Sequence, residues 1–318
     1  MAYWPKCSII VPVCDGEANI ADCLESLCKQ KYPADRFEII VVDNNSRDCT
    51  SEVVRQYEVR YVQEEKPGSY AARNRGARLA DGDILAFTDA DCIAAPDWLQ
   101  AISNVLAGGE AQAVLGFAGG INANIWAELE QAKWEEFWAY QREVKRIDTR
   151  NFAILAPVLK RFGYFREDVQ SFADWELGAR LHQAGVKVVF APNVRTWHIN
   201  PCDLDDISQR RQRQGYAGYQ VMARHSDAFN EAYLPHIIRY HFIDNRRVRG
   251  GTLDALLRVL PLLLWPTRVA MEIVARTIPR KSLLYPLFGL WCGISWEMGI
   301  LKARREHLRL SYSEALKC

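Results

Sequence analysis

The sequence has almost no net charge. Its 318 residues include 40 Lys and Arg against 39 Asp and Glu, a formal balance of +1. Bulk charge therefore gives no reason to expect a nucleic acid partner, because such partners select strongly basic surfaces. Low-complexity tracts are absent as well, and a composition of 49% hydrophobic and 25% charged residues excludes disordered and fibrous classes.

Closely spaced cysteine pairs are also absent. The nine cysteines are odd in number, and none forms a CxxC pair or has the spacing of zinc ligands. We therefore expect a reducing, cytosolic setting rather than a disulfide-bonded, secreted one. The opening stretch MAYWPKCSIIVPV has only a short apolar run without a small-residue cleavage site, so we interpret it as a strand rather than a signal peptide.

The charge that is present is unevenly distributed, with a balance of −6 over residues 1–202 and +7 over residues 203–318. The basic part holds two apolar segments, 253–275 and 282–301, each about the 20 residues that a membrane span needs. Basic residues flank them, and Trp265, Trp291 and Trp296 lie within them, which suits a membrane boundary. We therefore predict a first domain over 1–225 and a helical region over 226–318 that contacts a membrane, as an embedded hairpin or lying in the interface. Two buried helices of a soluble subdomain are the alternative.

The first 90 residues alternate between strand and helix patterns. Apolar runs predict strands over 7–13, 37–42, 59–63 and 84–88, and helical spacing predicts helices over 19–30, 50–56 and 69–79. This order is typical of a mostly parallel α/β sheet with helices on both faces. Because ligands bind beyond the carboxyl ends of such strands, we expect the polar residues that follow three of them to converge. They are Asp15 and Glu17, Asp43 to Asp48, and Asp89 to Asp91.

Asp89 and Asp91 end the fourth strand as a DxD pair. Two carboxylates at the end of an apolar strand are costly to bury unless a cation or hydrogen bonds offset their charge. A divalent ion carrying a diphosphate fits this place, because carboxylate and phosphate oxygens together complete its oxygen shell. By itself the pair is a weak signal, since Asp also begins turns.

Four further segments accompany the DxD pair in order: VPVCDGE (11–17), VVDNNSRDCT (41–50), ARNRG (72–76) and ADWELGARL (173–181). Together they resemble family 2 glycosyltransferases, an inverting group with the GT-A fold, over residues 6–200. The chain departs from the family's usual patterns in three places. Cys14 stands for an aromatic residue, Asn44 for the second Asp, and Ala173 for a Glu.

The resemblance implies a donor site, a metal site and a general base. Asp91, with His198, would bind Mn²⁺ or Mg²⁺, and the imidazole favours Mn²⁺; a structural role is the alternative for His198. Asp174 would deprotonate the acceptor hydroxyl from a helix N-terminus, where a carboxylate is also favoured by the helix dipole alone. The donor-binding residues would be Pro12, Cys14, Glu17, Asp43, Asn45, Arg73, Asp89 and Ala90.

The resemblance further implies transfer of a sugar from a nucleotide-sugar, with UDP favoured, to a glycan or lipid-linked acceptor. The setting would be polysaccharide or glycolipid synthesis at the cytoplasmic face of a membrane. Two alternatives stay open at this point. A sugar nucleotidyltransferase would need a basic, Gly-rich loop after the first strand, where this chain has the acidic Cys14-Asp15-Gly16-Glu17. A non-catalytic, membrane-bound scaffold or partner subunit would show no nucleotide-sugar turnover.

Overall fold

The computed structural model describes residues 4–139, 144–224, 250–277 and 281–315. The chain forms two compact units, one of residues 1–121 and 139–199 and one of residues 122–138 and 200–318. The boundary expected between residues 225 and 226 lies outside the described residues and stays a prediction.

The first unit is built on an eight-stranded sheet with the order β3-β2-β1-β4-β7-β6-β8-β5. Its strands are β1 (Cys7–Val13), β2 (Phe37–Asp43), β3 (Arg60–Gln63), β4 (Ile84–Phe87), β5 (Cys92–Ala94), β6 (Ala113–Gly120), β7 (Phe152–Leu155) and β8 (Val188–His198). Its helices are α1 (Ile20–Cys28), α2 (Thr50–Val54), α3 (Ser69–Leu79), α4 (Trp98–Ala107), α6 (Ala156–Arg161) and α7 (Ala173–Gln183). The helix numbered α5 belongs to the second unit.

Strand β1 lies at the centre of a parallel run and pairs with β2 on one side and β4 on the other. The carboxyl ends of β2, β1 and β4 therefore lie side by side, with Val13 opposite Asp43. This confirms the expected convergence of the polar strand ends. The sheet as a whole is mixed, because β7 is antiparallel to both neighbours and β5 is antiparallel to β8. The α/β class expected from the sequence is confirmed.

Every residue of β1 is buried, as its continuous apolar sequence predicts for a strand covered on both faces. Ile9 and Val11 face a core shared with α1 and α4. On the other face Ile40 and Val42 of β2 pack with Ala72 of α3. The short strand β5 was not expected from the sequence, and neither was α4, although its buried residues Trp98, Ile102 and Leu106 recur at helical spacing.

A buried asparagine links three elements of this unit. The Asn151 amide nitrogen donates hydrogen bonds to the carbonyls of Phe117 in β6 and Val194 in β8, at 3.0 and 2.9 Å. Its carbonyl oxygen accepts the indole N–H of Trp98 in α4, at 2.8 Å. The Trp98 indole N–H and the Val194 carbonyl are buried, so loss of this side chain would remove the hydrogen-bond partner that it gives to each of them.

We expect Asn151→Leu to lower the free energy of unfolding by about 3 kcal/mol, because it removes the hydrogen-bond partner of the buried Trp98 indole N–H and of the buried Val194 carbonyl. Urea denaturation measures the loss. Asn104→Leu is the matched control, since Asn104 is exposed on α4 and surface substitutions change stability by roughly 0.5 kcal/mol or less. Equal free energies of unfolding for the two variants would contradict the structural role of the Asn151 side chain.

The second unit consists of the helices α5 (Ile125–Ala139), α8 (Leu204–Arg224), α9 (Gly250–Thr277) and α10 (Lys281–Ala315). They share an apolar core that includes Leu129, Met271, Phe288 and Trp291. The apolar segments 253–275 and 282–301 lie within α9 and α10. Among the described residues, no helix combines the length and the apolarity that a bilayer crossing requires.

Candidate active site

Asp43 is held rigidly at the carboxyl end of β2. One carboxylate oxygen accepts the backbone N–H of Ser46 at 2.9 Å, and the other accepts the hydroxyl of Tyr61 at 2.6 Å. The next strand presents Pro12 opposite Val42, one position earlier in the register. These contacts place a buried carboxylate at the sheet edge in a single orientation.

The loops that follow β1 and β2 interlock through side-chain to backbone hydrogen bonds. The Glu17 carboxylate accepts the N–H of Cys49 at 2.8 Å, and the Asp15 carboxylate accepts the N–H of Arg47 at 2.7 Å. In this structure Glu17 therefore connects two loops, and its contact with a donor stays a prediction. Cys14 is exposed at the same turn, where partial burial and the Asp15 carboxylate raise the pKa of its thiol.

Two asparagines fix the segment that leads into α3. The Asn44 amide nitrogen donates to the carbonyls of Glu64 and Lys66, both at 2.8 Å, and its oxygen accepts the N–H of Gly68 at 2.7 Å. A carboxylate could not make the two donor contacts, which explains why Asn serves here where the usual family pattern has Asp. Asn45, with a φ of 67°, donates to the carbonyl of Glu64 as well.

Helix α3 carries three polar residues on one buried face. Tyr70, Arg73 and Asn74 are spaced i, i+3 and i+4, which places them side by side. The helix lies close against the sheet because Gly76 has no side chain. A Cβ atom at Gly76 would stand 2.7 Å from the Ile10 side chain. The close packing brings the three residues to the edge where the strands end.

The buried Arg73 forms an ion pair with the half-buried Asp89, the first carboxylate of the DxD pair. Burial lowers the pKa of Arg73, but Asp89, Tyr70 and Asp174 together raise it by more, so the pKa is raised overall and the guanidinium stays charged. Its Nε–H is buried and has no hydrogen-bond partner among the described residues. Arg73 is thus fixed by Asp89, and its buried Nε–H is available to a ligand.

Asp91 and His198 are brought together by the pairing of β5 with β8. The chain turns after Asp89, whose carbonyl accepts the N–H of Cys92 at 3.0 Å, and Cys92 then pairs with His198. The imidazole Nε2 lies 3.3 Å from a carboxylate oxygen of Asp91. Asp91 and His198 are about a hundred residues apart in the sequence, and only the family resemblance predicted that they would form a pair.

Asp174 lies in the first turn of α7 and is partly buried. One carboxylate oxygen accepts both the hydroxyl of Tyr70 and the backbone N–H of Trp175, each at 2.9 Å. Burial and then the negative charge of Asp148 raise the pKa of Asp174 to about 6. A carboxylate with this pKa is ionised at neutral pH and accepts a proton more readily than an ordinary aspartate.

Asp148 and Arg150 form a buried ion pair that sequence reasoning missed. Arg150 donates to both carboxylate oxygens of Asp148, with the closest contact at 2.6 Å. Although burial raises the pKa of Asp148, Arg150 lowers it by more, so both side chains are charged. The available signal was two opposite charges two residues apart, directly before the apolar stretch Phe152–Leu155.

A second missed contact holds the segment before α7. The Asn74 side chain donates to the carbonyl of Phe165 and accepts its N–H, at 2.8 and 3.0 Å. It also donates to Glu167 at 2.7 Å, and Glu167 receives Lys66 and Arg78 as well. Asn74 belongs to the ARNRG segment, so this motif was the sequence signal that could have identified the contact.

The family model described as "Glycosyl transferase family 2" matches residues 8–172. The chain belongs to this family. Its match begins in β1 and runs through the DxD pair to the residue that precedes α7, so it contains all the predicted donor residues. Asp174 and His198 follow it in the chain.

Curated relatives of this chain support the family assignment. Glycosyltransferase AglE of Haloferax volcanii is 31% identical over 206 residues, which cover 61% of this chain and 67% of the relative. Beta-monoglucosyldiacylglycerol synthase of Nostoc sp. is 26% identical over 305 residues, which cover 90% of this chain and 62% of the relative. Other curated relatives are matched over little more than half of their length.

Among solved structures, the mannosyltransferase PcManGT from Pyrobaculum calidifontis, in complex with GDP-Man and Mn²⁺, superposes with a TM-score of 0.64 at 22% identity. The match covers 94% of this chain and 88% of that one. S. aureus TarS 1-349 in complex with UDP-GlcNAc superposes with a TM-score of 0.55 at 17% identity, covering 95% and 92%. At these identities the likeness establishes the fold alone, and it confirms the GT-A architecture that the sequence predicted.

The described residues of this glycosyltransferase family member contain no group of three or more His, Cys, Asp and Glu side chains arranged to hold a metal ion. Asp91 and His198 nevertheless fit one ion, because two ligand atoms that share an octahedral ion lie about 3 Å apart and their own atoms are 3.3 Å apart. A carboxylate oxygen with an imidazole nitrogen is a donor set that suits Mn²⁺. The protein would supply two ligands and leave the others to the donor and water.

Proposed function

We propose that this protein is an inverting glycosyltransferase that moves a sugar from a nucleotide-sugar to a hydroxyl of a glycan or lipid-linked acceptor. The observation that carries the proposal is one connected set of side chains. Asp174 accepts a hydrogen bond from Tyr70, the Tyr70 ring contacts Arg73, and Arg73 forms an ion pair with Asp89 of the DxD pair. A candidate base is thereby joined to the residues that bind the donor.

The proposal that this site binds a nucleotide-sugar rests on the charges of its side chains. Arg73 is a buried cation whose buried Nε–H has no hydrogen-bond partner among the described residues, and such a donor suits a phosphate or sugar oxygen. Asp91 and His198 would hold Mn²⁺ or Mg²⁺, which when bound offsets the negative charge of the leaving diphosphate. Asp43, Pro12 and the neighbouring strand ends would then receive the nucleoside.

The transfer step needs a single proton acceptor. The acceptor oxygen attacks the anomeric carbon, the bond from that carbon to the diphosphate oxygen breaks, and the hydroxyl proton passes to Asp174. With a pKa raised to about 6, Asp174 is largely ionised at pH 7 and still basic enough to take the proton. One displacement from the face opposite the leaving group inverts the anomeric centre.

A titration tests the donor class. The purified protein is titrated with UDP, GDP and dTDP, each in the presence of Mn²⁺ and of EDTA. PcManGT with GDP-Man and TarS with UDP-GlcNAc support a nucleotide-sugar, and we favour UDP. Metal-dependent, micromolar binding of one nucleotide is the expected result. Folded protein that binds none of them would favour the scaffold alternative instead.

The nucleotidyltransferase alternative has no supporting observation. Its triphosphate would need a basic loop after β1, but that loop carries Asp15 and Glu17, whose carboxylates accept backbone N–H groups of the β2–α2 loop. Two acidic side chains at this position would repel a bound triphosphate, and the family match points to glycosyl transfer.

We further propose that α9 lies on a membrane surface, at the cytoplasmic face, where a lipid-linked acceptor is available. Its exposed side chains are apolar: Leu262 and Trp265 are 70% and 71% exposed, and Val259, Leu263 and Ile273 are exposed beside them. Arg276 lies in the last turn of this helix, and Lys281 is the first residue of α10. An apolar face with tryptophan and basic residues at its border is typical of interfacial helices. The relative named for diacylglycerol matches across this region.

Two charges on this face should release the protein from lipid. We expect Leu262→Glu with Trp265→Glu to weaken binding to anionic vesicles by about tenfold or more, because both side chains must leave the bilayer. Vesicle flotation of the full chain measures it. Gln56→Glu with Asn104→Glu adds the same charge at exposed positions elsewhere and should still float. Equal flotation of both double variants would count against the membrane face.

A further inference from the structure

Helix α3 connects the donor residues with the candidate base through one aromatic side chain. Tyr70 is buried, its hydroxyl donates to Asp174 at 2.9 Å, and its ring lies 5.3 Å from the guanidinium carbon of Arg73. Arg73 in turn holds Asp89. Tyr70 therefore contacts both functional groups with different parts of the same side chain.

We propose that Tyr70 is a positioning residue that couples donor recognition by Arg73 to the orientation of the base Asp174. The inference rests on the proposed function, since it takes Asp174 as the base and Arg73 as a donor-binding residue. Tyr70 would contact neither the sugar nor the acceptor, so it would take no direct part in the transfer step.

The hydroxyl of Tyr70 determines which carboxylate oxygen of Asp174 is available. Tyr70 and the N–H of Trp175 both donate to Oδ1. Among the described residues no hydrogen bond to Oδ2 is formed, so Oδ2 is the oxygen left to take the acceptor proton. Two fixed donors on Oδ1 hold the carboxylate plane and keep Oδ2 in one place.

The ring of Tyr70 is itself held from the opposite side. It packs against Phe165 with a centroid separation of 5.7 Å. The backbone of Phe165 is clamped by Asn74, the neighbour of Arg73 on the same helix face. A shift of α3 would therefore move Arg73, Tyr70 and the segment before Asp174 together.

The groups around Asp174 give this contact a measurable signature. Tyr70 and Arg73 face Asp174 from α3, Asp148 faces it from the segment before β7, and the Trp175 N–H lies on its own helix. Burial and Asp148 raise the pKa of Asp174, whereas the Tyr70 hydroxyl and Arg73 lower it. Burial and then Asp174 raise the pKa of Tyr70 well above its ordinary value, so its hydroxyl keeps its proton and remains a donor.

The test compares the pH dependence of turnover in the full chain and in Tyr70→Phe, measured as nucleoside diphosphate released from UDP-glucose or GDP-mannose. A base works only when ionised, so wild-type activity should fall as the pH drops through about 6. Tyr70→Phe loses a hydrogen bond that stabilises the ionised form. We expect its acid midpoint to move up by about one pH unit and its plateau rate to fall about fivefold or more.

The two halves of the coupling can be separated by a second variant. Tyr70→Phe keeps the ring beneath Arg73, so binding of UDP or GDP with Mn²⁺ should be unchanged. Tyr70→Leu removes the ring as well, and we expect it to weaken that binding about fivefold, in the range of a lost cation–π contact. Tyr57→Phe is the matched control, because its hydroxyl donates to the carbonyl of Ala21 and contacts no carboxylate named here.

An unchanged acid midpoint and plateau in Tyr70→Phe, with Asp174→Asn inactive, would overturn this inference and leave the proposed function standing. If Asp174→Asn turned over at the wild-type rate, the base assignment and this inference would fail together. A shifted midpoint in Tyr70→Phe with an unshifted one in Tyr57→Phe supports the coupling.

Discussion

Asp174→Asn is expected to lower the rate of sugar transfer by about 10²–10⁴-fold, the contribution typical of a positioned general base, while donor binding stays unchanged. An amide has the shape of the carboxylate but cannot accept the acceptor proton at neutral pH. The Asn74 clamp on Phe165 and the Arg73–Asp89 pair do not depend on this carboxylate, so the donor site should persist. Turnover and nucleotide titration of the same preparation measure the two effects separately.

Asp22→Asn is the control for this prediction. Asp22 is an exposed aspartate in the first turn of α1, as Asp174 is in the first turn of α7. If Asp174 served only the helix dipole, both substitutions would cost a few tenths of a kcal/mol of stability and neither would stop turnover. A rate near that of the wild type for Asp174→Asn would remove the general base from the account.

The second large effect is expected at the proposed metal site. Asp91→Asn should weaken metal-dependent binding of the nucleoside diphosphate by at least about tenfold to a hundredfold, since loss of a direct ligand costs no less than loss of a residue that supports one. In EDTA the variant and the wild type should bind equally weakly. Calorimetric titration with Mn²⁺ and then with EDTA gives both numbers.

Asp83→Asn is the matched control on the same strand. Asp83 lies directly before β4, at the end opposite Asp91, and its carboxylate accepts the N–H of Lys6. Its loss should leave nucleotide affinity unchanged. Equal affinities for Asp91→Asn and the wild type in Mn²⁺ would contradict the assignment of Asp91 as a ligand and would leave His198 without its proposed role.

The first half of the fold was predictable because its strands are covered on both faces. Continuous apolar runs located β1, β2 and β4, and helical composition located α3 with the bounds that the structure has. The mixed half was harder, since β5 has three residues and β7 has four. Segments that short carry no periodicity, and their pairing depends on contacts distant in sequence.

Among the site residues, the strand-end carboxylates were predictable from position alone, because parallel strands end at one edge. The Asp91–His198 pair needed the family resemblance, since only the β5–β8 pairing brings the two together. Tyr70 and the Asp148–Arg150 pair were missed. Their importance comes from burial beside Asp174, and burial of a polar side chain is not visible in its sequence neighbours.

The measurement that tests the central claim most directly needs no knowledge of the acceptor. The protein is incubated with an α-linked nucleotide-sugar and Mn²⁺, with water as the acceptor, and proton NMR follows the first sugar anomer released. A single displacement assisted by Asp174 predicts that the β anomer forms first and that Asp174→Asn releases none above background. Initial release of the α anomer would contradict the inverting mechanism.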